Sequence, residues 1–184
     1  MITPIHNNVN AIDGIFIYMI YLLKRIKGVF VVMAIQTVSR WEELTRLDLY
    51  MDQVCIAVAD AISPVTGAQE GLLTPTMVNN YVKLKLLDAP KKKKYSTSHV
   101  SRLIIITLLK RVLSLMEIAA ILRDLFNDRE CQAAYGLFGE ALQAALSGED
   151  IPKDCPLLLA AALRALAGKL EVERILAALV DEKA

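Results

Sequence analysis

The stretch "LLTPTMVNNYVKLKLLDAPKKKKYSTSHV", Leu72 to Val100, decides how the chain reads. Thr74 followed by Pro75 marks a helix start. A threonine hydroxyl accepts a backbone N–H at the N-cap, and proline at the first helical position gives up a donor that lacks a partner there anyway. "DAPKKKKY" stops this helix early. Ser96 or Thr97 opens the next one, with Val100, Leu103, Ile104, Thr107, Leu108 and Val112 as its apolar stripe. Between the two stand four consecutive lysines. A loop rarely needs that much charge of one sign to stay solvated.

The charge is local. The chain's formal net charge is only +1. From Asn79 to Arg111 lie nine basic residues and one acid, Asp88, a balance of +8; the remaining twelve basic and nineteen acidic residues give −7. A single basic segment on an otherwise acidic chain suits a polyanion-binding face. A solvated basic loop is the plainer reading of the same numbers.

Upstream, Trp41, Leu44, Leu47, Met51, Val54, Val58 and Ile62 recur at three- and four-residue steps, which predicts one amphipathic helix from Ser39 to about Ile62. Ser39 and Glu42 form a candidate capping box at its start. "SPVTGAQEG", residues 63–71, reads as a turn-rich connector. Downstream, "LSLMEIAAIL" predicts a short helix capped by Ser114 and Glu117. An alanine-rich helix follows from about Glu130 to Leu146. After the break "SGEDIPKDCP" comes a helix from about Leu157 to Val180, with a possible split near Gly168. This last helix carries more apolar surface than it can hide alone, so it is expected to pack on the 130–146 helix and across a dimer two-fold.

The chain has 184 residues, enough to bury a core without disulfides or a structural metal. Its 55% hydrophobic composition, rich in Leu, Ala, Ile and Val, points to an all-α protein. The three cysteines, Cys55, Cys131 and Cys155, form no CxxC pair. They read as small buried hydrophobes in a reducing compartment, the cytoplasm. No metal site and no cofactor are expected. There is no glycine-rich phosphate loop, nucleophile elbow or paired-carboxylate site, so the reading is non-enzymatic. Asp124 and Asp128, close to Arg123 and Arg129, read as a surface salt-bridge cluster. His99 reads as solvent-facing.

"IFIYMIYLL", Ile15 to Leu23, is too short to span a membrane, which takes about 20 apolar residues, and Lys24, Arg25 and Lys27 interrupt it. Residues 1–32 read as a doubtful N-terminal extension, with translation beginning at Met33.

Two resemblances add to this. "TPTMVNNYVKLKLL" resembles the recognition helix of MerR-type winged helix-turn-helix proteins. Thr74 falls on the cap, Val78 on a core position, Tyr81 on the second aromatic of that family's arginine-tyrosine-tyrosine run, and Leu86-Leu87 on its closing pair. "KKKKYSTSHVSRL" is similar to a wing and the helix after it. Asn79-Asn80 stand where the arginine-tyrosine pair would be. The 63–72 connector is long for such a motif, and the 89–94 loop is short for a hairpin wing. More closely, "LTPTMVNNYVKLKLL…PKKKKYS…LLKRVLSLMEI" resembles the bacterial domain of unknown function 1836 over roughly residues 40–150. The resemblance implies a MerR-like fold and a regulatory role.

The residues carry the same expectation physically. Thr74 and Thr76 sit at a helix N-terminus, whose free N–H groups favour a phosphate. Asn79 and Asn80 can each bond adenine in a major groove. Lys83, Lys85, Lys91, Lys92, Lys93 and Lys94 neutralise phosphates. Tyr95 and Arg102 bracket the backbone from the other side. Tyr81 reads equally as core or as contact. The resulting expectation is a MerR-like helix-turn-helix domain over 34–126 with a truncated basic wing, followed by a helical region over 127–184 for dimerisation or effector binding. The function read from it is sequence-specific double-stranded DNA binding by a homodimeric regulator. The alternative is a non-catalytic protein-interaction module that reuses this fold.

Overall fold

A computed structural model of the chain describes residues 37–67 and 73–181. The expectations for residues 1–32 and for connector residues 68–71 therefore lie outside the described residues. Among the described residues the fold is all-α. A 3-10 turn, Trp41–Glu43, precedes helices α1 (Met51–Thr66), α2 (Pro75–Lys83), α3 (Thr97–Leu109), α4 (Leu115–Phe126), α5 (Cys131–Ser147) and α6 (Leu157–Asp181). No helix among them is long and apolar enough to cross a membrane.

α3 is the centre. Val100, Ser101 and every residue from Leu103 to Leu109 are buried. The helix packs against α1 on one side and against α5 and α6 on the other. A run this apolar all round can only be a core helix. The most extensive helix pairing is α5 with α6, as the apolar excess of α6 predicts. α6 runs through Gly168 unbroken, so the expected split is absent. Leu166 and Leu170 are buried on either side of that glycine and hold the helix across it.

The expected helix from Ser39 is corrected more heavily. α1 begins at Met51, because Leu49 and Tyr95 exchange both backbone hydrogen bonds at 2.9 Å and keep the chain extended there. The apolar stripe across 41–62 is thus two structures. Leu44 is buried, whereas Leu47 is 75% exposed. The capping box also shifts by one residue: the Glu43 carboxylate, not Glu42, accepts a backbone N–H, that of Arg40, at 2.7 Å. The Ser39 carbonyl instead accepts the Tyr135 hydroxyl at 2.7 Å, tying this strap to α5. Burial and the nearby Glu43 carboxylate push the Tyr135 phenol well above its ordinary pKa, so it stays a donor.

At its other end α1 continues four residues into the expected connector, past Pro64, to Thr66. Proline cannot donate to the Asp60 carbonyl. The Ser63 hydroxyl donates to it instead, at 3.0 Å. Gly67, at φ +72°, then ends the helix. α4 matches its expectation closely: the Glu117 carboxylate accepts the Ser114 N–H at 2.8 Å, and Ser114 Oγ accepts the Glu117 N–H at 3.4 Å. Asp128 lies past the end of α4, so it shares no helix face with Asp124, and no ion pair links them to Arg123 or Arg129 among the described residues. Arg129 donates to the Asp154 carbonyl.

Candidate functional site

α2 forms as its sequence dictates. Thr74 Oγ1 accepts the Met77 N–H at 3.3 Å, and Pro75 occupies the first helical position. Val78 and Tyr81 are buried, with Met77 and Val82 half-buried beside them. The opposite face is Thr76, Asn79, Asn80 and Lys83, all exposed. These positions are spaced i, i+3, i+4 and i+7, one continuous stripe along the helix. It contains two carboxamides, a hydroxyl and a cation, and no acid.

Tyr81 therefore belongs to the core and not to the contact set. At 3% exposure its ring anchors α2, and burial raises the phenol's pKa. Tyr95 is corrected likewise. It too is 3% exposed, paired to Leu49 through its backbone, with its ring edge-on to His99 at 5.5 Å. Neither tyrosine can reach a partner's surface from there.

The lysines divide by environment. Lys83, Lys85, Lys91, Lys92 and Lys93 are exposed. Lys94 is half-buried, its ammonium 5.3 Å from the centroid of the Tyr50 ring. Lys110, counted in the same basic segment, turns inward toward Met77, and burial lowers its pKa. Arg111 pairs with Glu173 of α6, which Lys169 also contacts at 3.3 Å.

Three exposed lysines hold left-handed backbone: Lys85 (φ +56°), Lys92 (φ +50°) and Lys93 (φ +63°). Lys85 ends α2. Its N–H reaches the Val82 carbonyl at 3.1 Å and the Leu86 N–H reaches that of Tyr81 at 2.9 Å, a Schellman closure with lysine where glycine is usual. Lys92 and Lys93 are the two residues of a minimal hairpin. Lys91 and Lys94 exchange backbone bonds around them at 2.9 and 3.1 Å. Positive φ at both central positions is the mark of a type I′ turn, which favours Asn-Gly. The loop judged too short for a wing thus makes the shortest hairpin there is. A non-glycine residue there costs roughly 1–2 kcal/mol. Strain of this kind gathers where function requires a side chain.

His99 does not face solvent as expected. It is half-buried at the third position of α3, where its Nδ1 accepts the Ser96 N–H at 3.1 Å. Nε2 is buried without a hydrogen-bond partner. Burial lowers the pKa, Arg102 adds to that, and Asp88, the Ala89 carbonyl and Asp48 partly offset it. A protonated Nδ1 would set a donor against the Ser96 N–H. The folded state therefore binds fewer protons than the unfolded chain below the ordinary histidine pKa of about 6.5, and stability rises with pH across that window. Thermal unfolding should show the midpoint falling as pH drops from 7.5 to 5.5. In His99→Gln that fall should shrink; an undiminished fall would place its origin elsewhere.

Arg102 does not bracket a backbone opposite Tyr95. Its guanidinium lies 4.0 Å from the centroid of the Phe126 ring and lines a cleft with Lys85, Arg123 and Asn127. Sequence reasoning assigned Arg123 to a salt bridge and overlooked Asn127. Their four-residue spacing was the available signal.

Residues 39–138, more than half of the chain, match the family described as Domain of unknown function (DUF1836). The chain belongs to the DUF1836 family. The DUF1836 match runs from the strap through α1–α4 into α5, and so contains α2, the lysine hairpin and the Arg102 cleft. It ends at Phe138, before α6. No curated protein and no solved structure matches the chain.

Proposed function

We infer that this DUF1836 protein is a cytoplasmic, homodimeric DNA-binding regulator of MerR-like type, with α2 in the major groove and the lysine hairpin on phosphates. The observation that carries this is the acid-free, exposed stripe Thr76, Asn79, Asn80 and Lys83, flanked by lysines in strained turns. Asparagine presents a donor and an acceptor that match adenine's major-groove edge, while lysine adds affinity without sequence information. Lys85 and Arg102 extend the positive flank behind the helix. Thr74 is spent on its own cap, so its part is to shape the helix end.

The dimer rests on α6, where Val172, Ile175 and Leu176 are exposed at i, i+3 and i+4. An apolar stripe of that spacing suits a second copy of the same helix, and a two-fold protein reads a two-fold site.

An electrophoretic shift on fragments of the protein's own promoter tests the reading. A retarded complex at low salt that holds two copies per fragment supports it, and folded protein that retards no fragment sinks it. Within such a complex, Asn79→Ala and Asn80→Ala should each cost roughly 1–3 kcal/mol at the preferred site and little at random sequence. Equal losses on both sequences would demote the asparagines to backbone contacts.

A further inference from the structure

The cleft beside α2 joins three elements. Lys85 comes from the turn that ends α2, Arg102 from α3, and Arg123 and Asn127 from the end of α4. Its volume is about 310 Å³, and Leu122 and Phe126 contribute apolar wall. No carboxylate is among the lining residues. Asp128 takes a hydrogen bond from the Asn127 amide at 2.7 Å but does not line the cleft. The guanidinium of Arg102 is held in place by the Phe126 ring, and its Nε is buried with no hydrogen-bond partner. Three cations line this cleft and no carboxylate lines it with them, so an entering anion meets attraction from the walls and no like charge among them. A planar guanidinium fork, a second arginine, an ammonium and an amide donor together match the oxygens of a phosphoryl group.

We propose that this cleft binds a phosphoryl group. The inference goes beyond the regulator reading, since the site needs no duplex and draws on Arg123 and Asn127, which that reading leaves unused. One chemistry has two sources here, a DNA backbone phosphate or a free phosphorylated small molecule. Because Lys85 and Arg102 also border the proposed DNA flank, occupancy by a free anion would neutralise part of that flank.

The test is thermal unfolding of the full chain without DNA, in sodium pyrophosphate against sodium chloride at matched ionic strength. Pyrophosphate should raise the midpoint saturably. Arg123→Gln and Lys85→Gln, both at exposed positions, should each weaken that effect about tenfold or more. Lys91→Ala, Lys92→Ala and Lys93→Ala combined should leave it intact. No gain over chloride, or an equal gain in Arg123→Gln, overturns the site. Titrating pyrophosphate into a protein–duplex complex then separates the sources. Competition, together with weakened duplex binding by Arg123→Gln, assigns the group to the DNA backbone. Binding alongside the duplex assigns it to a free molecule, and either result keeps the site. If no duplex binds, the pyrophosphate result still stands by itself.

Discussion

Replacing Lys92 with Asn and Lys93 with Gly should make the protein more stable and, on the regulator reading, a poorer DNA binder. Both lysines sit at positive φ in a two-residue hairpin, where Asn-Gly fits without strain. Relief of two strained residues, less the entropy that a glycine loses on folding, leaves a net gain of about 1–2 kcal/mol. For a chain of this size that is a rise of roughly 2–8 °C in Tm. The same change removes two cations. If they meet phosphates, the slope of log affinity against log salt should ease by about 2, and affinity at low salt should fall on the order of tenfold to a hundredfold. Lys92→Ala with Lys93→Ala is the control. It loses the same charge but keeps the left-handed strain, so it should weaken binding without stabilising the fold. Denaturant unfolding and a salt titration of duplex binding read the two effects separately. Stability that drops in the Asn-Gly variant would remove the strain argument, and an unchanged salt slope would remove the lysines from the phosphates.

What was legible in the sequence follows from where each residue finds its partner. The starts of α2, α3 and α4 were legible because Thr74, Ser96 and Ser114 cap through partners three residues away, and such local bonds are visible in a one-dimensional pattern. Asn79 and Asn80 were legible as an exposed pair for the same reason, since helical spacing alone sets them opposite Val78 and Tyr81. The start of α1 was not. The periodicity of Trp41 to Ile62 suits a helix, but Leu49 is held extended by Tyr95, 46 positions away, and no local rule contains that bond. Tyr95 was misread on the same account: it stands next to a lysine run that looks solvated, yet the backbone pairing with Leu49 draws it inward. His99 is a different case, since its bond to Ser96 is local but a histidine three residues after the cap lacks the glutamate signature that Ser114 and Glu117 show. The cleft was hidden by a longer-range version of the Tyr95 case, because Lys85, Arg102 and Arg123 meet only after three elements have packed.

Tyr81→Ala should cost about 3–5 kcal/mol of folding stability, as truncation of a large buried aromatic generally does. Tyr81 is 3% exposed, on the inner face of a helix of only nine residues that has Val78 as its other buried anchor. Its carbonyl also accepts the Leu86 and Leu87 N–H groups, at 2.9 and 3.3 Å, so the ring and the turn that aims Lys85 are fixed by the same residue. Loss of the ring therefore frees α2 and the end of the basic flank together. On the regulator reading, DNA affinity should fall along with stability, without any change in which bases are preferred. Tyr81→Phe separates this from a direct contact. It keeps the ring volume and deletes only the hydroxyl, so it should stay within about 1.5 kcal/mol of the parent and bind the same sequences. Denaturation curves and competition between two duplexes distinguish the cases. A Tyr81→Phe protein that keeps its stability but loses sequence preference would return the hydroxyl to the contact surface. It would also mean that α2 rotates outward when it binds, because from its buried position the phenol reaches no base edge.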